Sequence, residues 1–106
     1  MGKVYVVHDT GNFDLVPAMQ YGELVPVVTE NVSILDNSPA LEKIRRVLDD
    51  FDEANDYILC IGSPILIFLV GNVLGEMGVE DINFLVWDKK YRTYIKIHQH
   101  IGGYYE

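Results

Sequence analysis

Two short stretches carry the side chains that could do chemistry. The first is His8-Asp9, followed by Asn12 and Asp14, at the end of an apolar run that begins at Val4. The second is Gly62-Ser63-Pro64, which separates a short uncharged apolar run from a longer one. Histidine, aspartate and serine are the residue types of a nucleophilic triad, in which an imidazole oriented by a carboxylate activates a hydroxyl. His8, Asp9 and Ser63 are therefore the candidate catalytic residues, for a small hydrolase or an enzyme acting on a phosphate ligand. Ser63 lacks the G-x-S-x-G elbow that presents a nucleophile in α/β hydrolases. Gly62 and Ser63 offer a second chemistry. If a helix begins at Pro64, the free N–H groups and the helix dipole at its start suit a phosphate or carboxylate. Neither G-x-x-x-x-G-K-[ST] nor G-x-G-x-x-G accompanies this turn, so a plain helix cap competes with an anion site.

The elements that must position these residues follow from the hydrophobic pattern. Val4–His8 is apolar without alternation, as expected of a strand buried on both faces. Asp9-Thr10-Gly11-Asn12 is turn chemistry. Phe13–Tyr21, interrupted by Pro17, reads as a packed loop. Glu23–Val28 reads as a short strand whose Pro26 lacks a ladder donor, which favours an edge or a bulge. Ser38-Pro39 opens the first helix. Leu41, Ile44, Val47, Leu48 and Phe51 form its apolar stripe, and Glu42, Lys43, Arg45, Arg46, Asp49 and Asp50 its polar side.

Tyr57–Ile61 is the next strand, and Pro64–Met77 the second helix, stopped by Gly78. That helix is apolar around most of its circumference, and such a helix is buried all round. A sheet covers one side only. The other side calls for a partner, and a second copy of the chain is the simplest: a homodimer or higher homo-oligomer through Pro64–Met77. Gly71 and Gly75 lie four apart, where they either admit another backbone or make room against the sheet. Ile82–Trp87 and Tyr91–Ile97 then form a hairpin around Asp88-Lys89-Lys90. Its alternation predicts Tyr91, Thr93, Ile95 and Ile97 on the buried face, with Arg92, Tyr94 and Lys96 facing water. His100–Glu106 reads as a loose tail. The whole is a single α/β domain over residues 1–106, in the order β-β-α-β-α-β-β. Its expected architecture is a five-stranded mixed sheet with two helices and a C-terminal antiparallel hairpin. Parallel topology then brings the Asp9 and Ser63 turns to one sheet edge.

Other patterns carry less. His98-x-His100 places two imidazoles on one strand face, but no further ligand completes a metal site, and no metal or cofactor is expected. The acidic run Asp49–Asp56 fails the calcium-loop pattern and reads as a solvated linker. Lys89, Lys90, Arg92 and Lys96, with Tyr91 and Tyr94 between them, form the basic patch of an outer strand. Cys60 sits in an apolar run, the place of a small core hydrophobe. Asp9-Thr10-Gly11 resembles the aspartic-protease tripeptide, but the helix expected at Pro39–Phe51 falls where those enzymes carry β flaps.

With 16 acidic against 8 basic residues the net charge is −8, which argues against direct binding of nucleic acid. An inhibitor whose acidic surface mimics nucleic acid remains compatible with it. Tyr57–Leu74 is uncharged, but Gly62-Ser63-Pro64 cuts it below spanning length, so no membrane partner is expected. No basic leader with an apolar stretch opens the chain, so secretion is not expected.

Val4–Ala18, Leu59–Leu66 and Phe84–Ile97 together resemble a family of small proteins of tailed phages, marine ones in particular. The resemblance implies a viral origin and a host-cytoplasm setting, and supplies no activity. The family carries Gly-Asp-Pro at the strand–helix junction where this chain has Gly62-Ser63-Pro64, so a role for an acid at that point does not carry over. The leading expectation is a non-enzymatic phage accessory protein acting as a homo-oligomeric binding module.

Overall fold

The computed structural model describes residues 2–30, 36 and 38–101. β1 (Lys3–His8) is an inner strand of the sheet, and its Val4, Tyr5, Val6 and Val7 are all buried, as an apolar run without alternation requires. The other strands are β2 (Glu23–Val28), β3 (Tyr57–Leu59), β4 (Asp81–Asp88) and β5 (Thr93–His100). They form a five-stranded sheet in the order β2-β1-β3-β4-β5. Pairing is parallel from β2 through β4 and antiparallel between β4 and β5. The expected mixed sheet with a C-terminal hairpin is thus the fold. Pro26 lies exposed on β2, an edge strand, where its missing donor costs no ladder bond.

Both α-helices lie on one face. α1 (Ser38–Val47) packs on β2 and on α2 (Pro64–Glu76), and α2 packs on β1. α1 buries Ala40 and Ile44 and turns Glu42, Arg45 and Arg46 outward. A 3-10 turn, Leu48–Asp50, continues it, and Phe51 then reaches the Tyr5 ring at 5.6 Å between centroids. α2 buries Leu66, Val70, Val73 and Leu74, one side of a helix that is apolar on nearly every side. The opposite face of the sheet is covered by a 3-10 helix, Val16–Tyr21, formed where a loop was expected. Pro17 at its start pre-sets the backbone for the turn, and Ala18 packs with Val4, Val6, Leu59, Leu85 and Tyr94.

The structure reverses one expectation about the hairpin. Tyr94 is only 3% exposed, whereas Ile95 and Ile97 are 40% and 43% exposed. Alternation is present, but the apolar side of β5 is not the covered one. Tyr94 faces the 3-10 helix, where its hydroxyl donates to the Asp14 carbonyl at 2.9 Å while its own carbonyl accepts from the Tyr21 hydroxyl at 2.9 Å. Ile95 and Ile97, paired with Val86 and Phe84, lie on the helix side of the sheet. A helix about 10–12 Å across spans roughly two strands at ~4.8 Å spacing, so two helices leave one edge of five strands bare. The expected tail is also shorter, because β5 continues to His100; residues 102–106 lie outside the described residues.

The acidic connection before β3 is a folded corner rather than a solvated linker. Asp56 is 4% exposed. Its two carboxylate oxygens accept the Lys3 and Asp52 amides, each at 2.8 Å, tying the start of β1 to the end of the α1 segment. Asp52 in turn accepts the Ala54 amide and the Asn55 side chain. Hydrogen bonds to a charged acceptor contribute about 1.5–3 kcal/mol each. Asp56→Ala is therefore expected to lower unfolding free energy by about 2–4 kcal/mol in urea titrations, and the exposed Asp49→Ala by about 0.5 kcal/mol or less.

Candidate functional site

Parallel pairing of β1 with β3 brings the His8 and Ser63 turns to the same sheet edge. His8 is 7% exposed, and both of its ring nitrogens are engaged. Nδ1 accepts the Ser63 backbone N–H at 3.1 Å. Nε2 lies 3.1 Å from the Glu30 carbonyl and, with Nδ1 accepting, must carry the proton it donates there. The imidazole thus clips the exit of β2 and the start of α2 to the end of β1. Asp9 does not orient it. Its backbone N–H donates to the Val28 carbonyl, and its carboxylate accepts the Gly11 amide at 3.1 Å, closing its own turn.

Ser63 holds the N-cap position of α2, but its side chain makes no capping bond. The Ser63 amide, one of the donors an anion would need, is taken by His8. Gly62 is what lets the ring approach. Its φ is +97°, and a Cβ built there would fall 2.2 Å from the Cβ of His8. The structure thus joins His8 with Gly62 and Ser63 through ring and backbone, while the Asp9 carboxylate turns elsewhere.

Asn12 and Asp14, also expected near this edge, line a separate cavity of about 260 Å³ with Phe13, Ile61, Trp87 and Tyr94. Phe13 and Trp87 carry no functional signal in the sequence, and its alternation suggests that Tyr94 faces water with the basic patch rather than this cavity. Trp87 lies near the end of β4 and Tyr94 near the start of β5, so they meet only through the hairpin register, whereas Phe13 comes from the loop after β1. A second cavity, about 210 Å³, runs between α2 and β4, with Cys60, Gly71, Leu74, Phe84 and Ile101 in its lining. Cys60 is half-buried there, and burial pushes its thiol up to about 11. That is the behaviour of an inert apolar residue rather than of a nucleophile.

At the opposite end of the sheet, one Asp81 oxygen lies 3.2 Å from His98 Nε2 and 3.1 Å from His100 Nδ1. All three side chains are exposed, and among the described residues no group of His, Cys, Asp or Glu has the geometry to hold a metal ion. The basic residues of the hairpin are exposed as well, with Lys90 Nζ 5.4 Å from the centroid of the Tyr91 ring. No helix among the described residues is long and apolar enough to cross a membrane.

A family model described as "Phage Pam3 gp32-like protein" matches residues 2–101. The chain belongs to this phage family. The match spans all five strands and both helices, so the likeness to small phage proteins extends beyond the three segments that first carried it. No curated protein and no solved structure matches the chain.

The junction of this phage protein yields two expectations. Gly62→Ala combines a left-handed backbone with a collision against His8 and should cost about 2–5 kcal/mol, measured by denaturant or thermal unfolding. The Cys60 thiol binds its proton more tightly in the folded state than at its ordinary value of 9.0. Its contribution to stability is therefore complete below about pH 9 and lost as the pH rises towards 11. Alkylation by iodoacetamide at pH 8 should accordingly be about a hundred-fold slower in the folded than in the urea-unfolded protein.

Proposed function

We propose that this is a non-enzymatic phage accessory protein that acts in the host cytoplasm as a homo-oligomeric binding module, its copies joined through α2 and the exposed helix-side residues of β5. The observation that carries this reading is the outward stripe of α2. Phe68 is 72% exposed, flanked by Ile65, Gly71, Asn72 and Gly75. Among the described residues nothing outside α2 lies within 4 Å of a Cβ built at Gly71 or Gly75, so neither glycine makes room for the sheet. Each costs about 0.8–1 kcal/mol relative to alanine in a helix interior. A second helix approaching closely would give that cost a purpose.

The same side of the molecule continues as an apolar surface. It runs from α2 across the groove, past the half-buried Phe84 and Val86, to the exposed Ile95, Ile97 and Ile101. Apolar surface that is contiguous over several elements marks an interaction site. Charge favours a second copy on it. Two molecules of net charge −8 repel unless they meet where charge is sparse, and Pro64–Gly75 carries none.

The other readings have less support. A hydrolase would need the His8 nitrogens free for a substrate or for Ser63 Oγ, and they are bonded to the Ser63 amide and the Glu30 carbonyl. A nucleic-acid mimic would need its acids along one face. The strand ends instead divide them: Asp9, Asp14, Glu30 and Asp88 at the carboxyl end of the parallel strands, Asp52, Glu53, Glu80 and Asp81 at the amino end.

Light scattering coupled to gel filtration should give a dimer or larger at micromolar concentration. Phe68→Glu, at an exposed position, should fold and shift the equilibrium to monomer by at least about ten-fold. Gly75→Ala should raise thermal stability of the monomer by helix propensity yet weaken association. A monomeric parent protein up to millimolar concentration would overturn the proposal.

A further inference from the structure

The cavity of about 260 Å³ beside the carboxyl ends of the strands is lined by Phe13, Trp87 and Tyr94, with Asn12, Asp14 and Ile61 completing it. It lies on the sheet face away from the α-helices, and self-association through α2 makes no use of it. Its volume is below that of pockets that enclose whole drug-sized ligands, so it suits a single chemical group. Trp87 and Tyr94 form a corner, with ring centroids 5.0 Å apart and planes at 69°. Phe13, from the loop after β1, supplies a third ring, and Asp14 a carboxylate. Among the described residues no basic side chain lines the space.

Aromatic rings and one acid around a group-sized cavity suit an organic cation: Phe13 and Trp87 are each 42% exposed, and the buried Tyr94 backs them. Ring quadrupoles attract a cation within about 6 Å of their centroids, and an alkylated ammonium keeps an apolar surface that a bare metal ion or a hydrated ammonium lacks. We propose that this cavity binds an alkylammonium group, a trimethylammonium head above all, with Phe13, Trp87 and Tyr94 around it and Asp14 balancing its charge.

Tyr94 and Asp14 are held in place before any ligand arrives. The Tyr94 hydroxyl donates to the Asp14 carbonyl, and an Asp14 carboxylate oxygen accepts the Val16 amide at 3.1 Å, which fixes the acid beside the rings. The Asp14 charge is felt inside the cluster: with burial the larger cause, it raises the Tyr94 phenol above its ordinary value. The protein's acidity also draws cations towards it.

Trp87 is the single tryptophan of the chain, so its fluorescence reads the cavity directly. The titrants are choline and its neutral carbon isostere 3,3-dimethylbutan-1-ol. A short peptide bearing trimethyllysine and the same peptide with unmodified lysine form a second pair. The expected result is a saturable change with choline or the trimethyllysine peptide, in the millimolar range or tighter. The isostere and the unmodified peptide should bind at least about five-fold more weakly. The tighter of the two cations tells whether the group comes from a free small molecule or from a protein side chain.

Asp14→Asn keeps an oxygen for the Val16 amide and removes the charge. It should weaken the cation about five-fold and leave the isostere unchanged. Phe13→Ala, at an exposed loop position, tests the same point without touching that turn and should weaken the cation by a similar factor. Equal binding of choline and its isostere, no saturable response to either cation, or full affinity in both variants would overturn the proposal.

Discussion

The contact between His8 and the Gly62-Ser63 turn is the constraint on which the other elements depend. β1 ends in a ring that receives the first amide of the turn into α2 and donates to the segment leaving β2. Three chain segments distant in sequence are thereby held at one point, with no water needed to satisfy the buried groups. The arrangement works because Gly62 has no Cβ and takes a left-handed φ, which lets the ring and the turn approach more closely than any side chain would allow. From that point α2 is launched across β1, and its placement fixes which strands the helices cover.

Coverage is the second constraint. Two helices cannot shield five strands, and the connections decide which strands go without. α1 joins β2 to β3 and α2 joins β3 to β4, so both lie towards the β2 side of the sheet. Among the described residues the helix-side face of β5 is left uncovered even though it carries Ile95 and Ile97, while Phe84 and Val86 beside them on β4 are half-buried. On the other face, a six-residue 3-10 helix and the loop before it cover part of the sheet, and the remainder bears Lys96, His98 and His100. The molecule thus has one face whose uncovered portion is apolar and one whose uncovered portion is polar.

The two ends of the sheet differ as well. At the amino end the buried Asp56 carboxylate serves the backbone, holding the β1 start to the corner that precedes β3. At the carboxyl end the loop after β1 and the β4–β5 hairpin enclose the aromatic cavity. The first is a closed polar knot with its bonds satisfied internally. The second leaves ring surface and a carboxylate accessible, the arrangement usual for sites at the carboxyl edge of parallel strands.

Much of the fold was legible in the chain. A strand buried on both faces announces itself as an apolar run, an amphipathic helix as a period of 3.6, and an edge strand by its proline, and Val4–His8, the α1 stripe and Pro26 each behave so. The order of elements and the meeting of the His8 and Ser63 turns followed from these, because parallel strands collect their carboxyl ends at one edge. Local pattern could not say which side of β5 is covered. Period 2 separates the two faces of a strand, but only the packing of distant segments decides which face is shielded, and Tyr94 is covered by a 3-10 helix more than seventy residues earlier in the chain. Nor could composition distinguish a solvated aspartate from Asp56, whose partners Lys3 and Asp52 reach it only in the folded chain. The pairing of His8 with a backbone amide and the gathering of Phe13, Trp87 and Tyr94 are of the same kind. The residues are present in the sequence, but their chemistry depends on contacts that exist only once the sheet has formed.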